Sequence, residues 1–350
     1  MPYLSAQLCP SENFNPTKMK KRTQQKNGYG KSVILLTLLS LLLVLLQSCS
    51  EDETLTPDLK EEDTAVPFDY YTIFSDAEVN TTIVNYYDDR SSDLTLKYFE
   101  VQNSADELRP LVILAPGGGW QEYTQVDEIE ILADNLAKRG YGVAVVNYTV
   151  NQQDGETWLK SIQDFKVAIK YFKKYALDYG IDQENIFSGG WSTGAQLAMY
   201  TQHLQREEYL SFDQDLIRLI LDPAIEQFGF EPSTYSAYSS EVKGNLLMMP
   251  FAWAEDFFDN AGPTLMIANR KSEFNDGTLI WGSEISVGGL KHIGPDAMKS
   301  SFEELGLVDG DDLELIITDP SLDNLVSHIN YTSLHASHFD EIASFFQRSL

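Results

Sequence analysis

Gly190-Trp191-Ser192-Thr193-Gly194 follows a short apolar run ending at Ile186-Phe187 and leads into Ala195-Gln196-Leu197-Ala198-Met199-Tyr200. The order reads as a strand, a sharp turn and a helix. A serine framed by glycines at such a junction sits on a tight elbow, because side chains at the flanking positions would collide there. Its hydroxyl is thrust out above the sheet edge, where a base can reach it. Ser192 is therefore the candidate nucleophile. The five-residue pattern also arises as a plain Gly/Ser turn, so its context carries the weight.

That context lies upstream. Leu111-Val112-Ile113-Leu114-Ala115 runs into Pro116-Gly117-Gly118-Gly119-Trp120, an apolar strand that ends in three glycines. Acyl transfer develops an oxyanion that preorganised backbone N–H groups must meet, and consecutive glycines turn those groups inward without Cβ obstruction. Gly118, Gly119 and Thr193 are the candidate donors. Trp120 and Trp191 flank this pair of motifs and are the candidates for contacting substrate.

The two motifs in this order resemble the α/β-hydrolase fold, and within it the carboxylesterase/lipase branch related to hormone-sensitive lipase. The stretches 137–148, 162–172 and 179–186 are similar to what that family carries at these places, and the resemblance extends over residues 80–202. It implies an α/β domain over 68–350: a mostly parallel central sheet with helices on both faces and an aromatic-rich insertion before the penultimate strand. It also implies a serine hydrolase acting on carboxylic esters, with no cofactor and no metal. Relatives commonly carry His-Gly-Gly-Gly in the glycine loop. Pro116 replaces that histidine, which removes any brace its side chain gave while fixing φ at the turn.

The apolar pattern agrees independently. Ile129, Leu132, Ala133, Leu136 and Ala137 follow helical spacing, as do Trp158, Ile162, Phe165, Ile169 and Phe172, so both segments read as amphipathic helices covering a sheet. Residues 143–146 form a short β-rich run between them, as a buried parallel strand should. Runs at 218–221, 264–268 and 313–317 would supply the last three strands, and 82–87 with 94–101 an opening antiparallel pair. Phe228, Phe230, Tyr235, Tyr238, Met248, Met249, Phe251, Trp253, Phe257 and Phe258 crowd the interval between 221 and 264, where they read either as core or as a lid or acyl-pocket wall.

A serine nucleophile needs a base, which belongs in the loop after the last strand, at the carboxyl ends of the sheet. Of the five histidines, His203 and His292 read as structural or solvated. His335 and His338 fall within or at the start of a final helix marked by Leu334, Ile342, Phe345 and Phe346. His328, in the loop proper, is the favoured base. In the family the acid follows the penultimate strand within a few residues, where Ser272 stands here. Glu273 and Asp276 are the nearest carboxylates, and Asp222 is a third choice.

The first residues address location. Lys20, Lys21, Arg22, Lys26 and Lys31 precede an uncharged run over 32–50 whose apolar core, 33–46, is too short to span a bilayer comfortably. Residues 1–48 read as a signal peptide, with Met19 a natural alternative start. Ser48-Cys49 after Leu46 resembles the lipobox of bacterial lipoproteins, although Gln47 stands where a small residue is usual. Cys49 would be the lipidated N-terminus. Residues 49–67, acidic and Pro-rich, would be a flexible tether, and acids behind the cysteine resemble a surface-export signal. The only other cysteine is Cys9, so the exported domain would need no disulfide.

The whole chain of 350 residues carries a formal net charge of −28. Without residues 1–48 it keeps 19 basic and 52 acidic side chains, a net charge of −33. Such a surface repels nucleic acid and anionic lipid, which leaves contact with a membrane to the lipid alone. A small-molecule or glycan ester is the expected substrate. Two other readings share these residues: a binding lipoprotein that has lost catalysis, and a serine peptidase or acyltransferase on the same fold.

Overall fold

The computed structural model of the chain describes residues 78–88, 92–101, 108–203, 215–252, 262–269, 272–273, 281, 285–287, 290–318, 326–327 and 336–350. The expected signal peptide and tether, Cys49 included, lie outside them. Within them runs an eight-stranded sheet in the order β1(Val79–Asn85), β2(Thr95–Val101), β4(Gly142–Val146), β3(Arg109–Ala115), β5(Ile181–Trp191), β6(Gly244–Met248), β7(Thr264–Ala268), β11(Leu313–Ile317). β2 pairs antiparallel with both β1 and β4, and every other neighbouring pair is parallel.

The central strands are buried on both faces, which explains their unbroken apolar runs. One face packs under α1(Val126–Ala137) and the last helix α6(Ala336–Arg348), where Ile129, Leu132 and Leu136 meet Phe187, Ile342 and Phe346. The other lies under α2(Gly155–Lys174), α3(Thr193–His203) and α4(Asp215–Phe228), with Ile162, Phe165, Leu197 and Leu221 in one cluster. The helical stripes read from the sequence are thus the buried faces, and an antiparallel ribbon of β9(Ile285–Val287) and β10(Leu290–His292) followed by α5(Pro295–Glu304) leads into β11. Asp154 caps α2 by accepting the Thr157 N–H, and Lys173 and Lys174 sit at its carboxyl end, where the helix dipole favours cations.

One strand assignment is corrected. Residues 218–221 lie inside α4, and the strand beside β5 is β6. Leu219 is 71% exposed, which a central strand does not allow, whereas Leu221, Ala224, Ile225 and Phe228 continue at helical spacing against the core. Pro223 lies within this helix, so the sequence pattern is interrupted at the point where the periodicity would have shown. The aromatic-rich interval consequently contains a sheet strand. Phe228, Phe230 and Tyr235 pack against one core cluster, while Met248 and Met249 belong to the other.

Candidate active site

Ser192 follows β5 directly and opens α3, with its backbone in the left-handed region at φ 54°. That is costly for a residue with a Cβ, and it persists where the surroundings over-determine it, as at functional sites. The surroundings are visible. A Cβ on Gly190 would lie 2.5 Å from the Ala115 carbonyl oxygen, and one on Gly194 would overlap that same carbonyl and reach 2.7 Å from Pro116 O. The Ser192 N–H donates to the Met248 carbonyl at 2.8 Å, fixing the elbow to β6. The side chain itself is buried.

β3 pairs with β5 so that Ala115 stands opposite Gly190, which delivers the glycine loop beside the elbow. Gly117 and Thr124 exchange backbone hydrogen bonds of 3.1 and 2.9 Å that close the loop. Gly118 and Gly119 adopt φ of 132° and 62°, and a Cβ on Gly118 would run into the Glu122 carbonyl. Sequence reasoning passed over Gly117, yet a Cβ there would sit 3.3 Å from the Ser192 Cβ. The Gly118 N–H has no acceptor among the described residues, and the first-turn N–H groups of α3, Thr193 included, lack intrahelical partners by position. The Gly119 N–H instead donates to Thr193 Oγ1 at 2.8 Å.

The turn at Pro116 is held from elsewhere in the chain. The Tyr148 hydroxyl donates to the Pro116 carbonyl at 2.9 Å, and the Tyr148 carbonyl accepts from the Tyr123 hydroxyl. Burial pushes the Tyr148 phenol well above its ordinary range and that of Tyr123 up to about 12, so both remain donors at neutral pH. Next to them Thr149 is held by buried Asp164, which accepts from its N–H at 2.8 Å, from its hydroxyl at 2.6 Å and from the Tyr87 hydroxyl at 2.5 Å. Burial raises the Asp164 carboxyl, and these hydrogen bonds pull in the opposite direction. The only local signal was a tyrosine two residues past an apolar strand.

Tyr148→Phe tests this brace. It leaves a buried carbonyl without its donor and should cost about 1–2 kcal/mol, read as a lower urea midpoint at unchanged slope.

The remaining predicted positions fall as follows. Trp191 and Trp120 are both buried, at 1% and 5% exposure, the latter beside Trp158 at 6.1 Å. Both rings belong to the buried clusters that back the two motifs. Asp222 lies on α4, half-exposed and 3.8 Å from Arg218, rather than after a strand. His338 is buried in the first turn of α6, and buried His292 stacks edge-on with Phe251 at 5.3 Å. Glu273 ends the short strand β8(Ser272–Glu273), which pairs in parallel with β12(Val326–Ser327) so that Glu273 stands opposite Ser327. His328 is the next residue in the chain. His328, His335 and Asp276 lie outside the described residues.

A mostly parallel eight-stranded sheet with a strained serine elbow and a glycine loop at its carboxyl edge defines an α/β-hydrolase. The chain belongs to the BD-FAE family, whose model matches residues 98–272, and with it to the esterase-type hydrolases. Among solved structures, Thermogutta terrifontis esterase 2 phosphorylated by paraoxon is 14% identical at a TM-score of 0.53, covering 75% of this chain and 90% of that one. The same esterase phosphoramylated by tabun is 15% identical, with a TM-score of 0.53 over 76% and 93% of the two chains. Its butyrate-bound form is 14% identical, with a TM-score of 0.50 over 78% and 92%. At such identities the likeness speaks for the fold. No curated protein sequence matches the chain.

Proposed function

We propose that the protein hydrolyses carboxylic esters through an acyl-enzyme on Ser192. The observation that carries this reading is the elbow: a non-glycine residue held at φ 54° between two glycines that have no room for a Cβ. Ser192 Oγ attacks the ester carbonyl, His328 takes the serine proton and returns it to the leaving alcohol, and a water then cleaves the acyl-enzyme with the same histidine as base. Glu273 orients the imidazole and stabilises its charged form. The pairing of Glu273 with Ser327 favours this acid over Asp276, because it brings the carboxylate-bearing residue level with the residue before His328. Amides of the glycine loop and of Thr193 meet the oxyanion. The substrate is a small-molecule or glycan ester.

The enzyme acts outside the cytoplasm, anchored through a lipid on Cys49 with 49–67 as its tether. This part rests on the sequence reading of residues 1–67. Among the described residues no helix is long and apolar enough to cross a membrane.

The test is labelling of the full chain with a fluorophosphonate probe and peptide mapping, followed by turnover of an aryl acetate against a chromogenic peptide. Adduct on Ser192 with turnover of the acetate supports the reading. Adduct with preference for the peptide makes the protein a peptidase, and a folded chain without adduct makes it a binding protein. Glu273→Gln should lower kcat by about 10³-fold while Ser192 still labels slowly, since a triad acid acts by orienting its histidine. A larger loss at Asp276→Asn would move the role there.

A further inference from the structure

We infer that the Thr193 hydroxyl is a positioning group that fastens the glycine loop to the nucleophile elbow, and that by holding the Gly119 N–H it leaves the Gly118 and Thr193 amides as the oxyanion donors. Its kinetic consequence rests on the ester-hydrolase reading above; the clasp itself does not.

The three glycines of the loop are held in different ways. Gly117 is fixed by its two backbone bonds to Thr124, and Gly118 by its fit against the Glu122 carbonyl. Gly119 has no such enclosure. A Cβ built there would meet nothing closer than Gln153 Nε2 at 3.6 Å, so packing does not set its position. Polar contacts do: its carbonyl accepts from Gln153 Nε2 at 3.2 Å, and its N–H donates to Thr193 Oγ1 at 2.8 Å. Gln153 is exposed, whereas Thr193 is 1% exposed and belongs to the first turn of α3. The buried contact is therefore the one that ties the loop to the elbow, across 74 residues of chain.

This contact also decides which amides are available. A hydroxyl offers two acceptor lone pairs and one proton, so it holds an N–H without needing a partner of its own. An N–H bonded at 2.8 Å is not also directed at a substrate oxygen. The Gly118 N–H, with no acceptor among the described residues, and the Thr193 N–H at the start of α3 remain. The sequence-based assignment of Gly119 as a donor is replaced accordingly. A side chain that accepts a hydrogen bond is needed at residue 193, and an aliphatic one of the same shape will not serve.

The experiment compares Thr193→Val, nearly isosteric but without the acceptor, with Thr193→Ser, which keeps it, in the full chain. Three readouts are taken: amide hydrogen exchange of the peptide spanning 117–124, the fluorophosphonate labelling rate, and kcat and KM for an aryl acetate. For Thr193→Val exchange in the loop should quicken about tenfold, while kcat and the labelling rate fall about tenfold or more and KM moves less than about threefold. Thr193→Ser should recover both exchange protection and most of the rate. Unchanged loop exchange in Thr193→Val overturns the clasp, as does a loss that serine fails to restore, since the methyl group would then be the agent. If Thr193→Val does not fold, Thr193→Ala against Thr193→Ser makes the same comparison. A wild-type chain that never labels ends the ester-hydrolase reading, and the exchange data still decide the clasp.

Discussion

Ser192→Ala is expected to lower kcat for an aryl ester by about 10⁴-fold or more if the proposed acyl-enzyme mechanism holds, since a triad stripped of its nucleophile retains only what the oxyanion donors and binding supply. The loss should be in kcat, with KM nearly unchanged, because the hydroxyl contributes little to holding the ground state. Stability should hardly respond. Alanine at φ 54° bears the same backbone strain as serine, and Gly190, Gly194 and the Met248 carbonyl still define the turn. Thermal unfolding within about 1 kcal/mol of wild type, together with lost turnover, separates a missing nucleophile from a damaged fold. A variant that keeps a tenth of the wild-type rate would mean that another group attacks the substrate.

Gly194→Ala should do the reverse and strike the fold first. The added Cβ would run into the Ala115 carbonyl and lie 2.7 Å from Pro116 O, and both are backbone atoms that no rotamer change moves. Relief requires α3 to withdraw from the end of β3, yet the Ser192 N–H ties the elbow to β6. Overpacking of this kind costs about 3 kcal/mol, near the upper end for a single added carbon. In a domain of this size that is a fall in Tm of about 6 °C. Activity should drop with it, measured well below the transition, because the displaced helix carries the Thr193 amide away from the loop. A Tm within one degree of wild type would mean that the elbow has slack the geometry denies.

Much of the site was legible in the chain itself. The elbow and the glycine loop announce themselves because steric exclusion is local: a tight strand-to-helix turn admits glycine at fixed offsets from the serine, and those offsets are written in consecutive residues. The faces of α1 and α2 were legible for a related reason, since a helix against a sheet must repeat its apolar residues at helical spacing over several turns. Where the repeat is cut short the reading failed. Arg218-Leu219-Ile220-Leu221 looks like a strand over four residues, and only the burial of Ala224 and the packing of Phe228 beyond Pro223 show it to be helix. The true strand, Gly244–Met248, was hidden among aromatic and methionine residues that also suit a pocket wall.

The fold class, the strand-to-helix turn that carries Ser192 and the glycine loop beside it can be read from the chain alone, because each follows from the shape of a few adjoining residues. Which remote segments meet beside them follows from packing across the whole domain. Tyr148 braces Pro116 from 32 residues away, Thr193 holds Gly119 from 74, and a two-residue strand pairing sets Glu273 opposite Ser327. None of these partners has a characteristic spacing. A hydrogen bond between remote segments depends on where the sheet register and helix packing place two chain ends, and that is fixed only when the whole domain has folded.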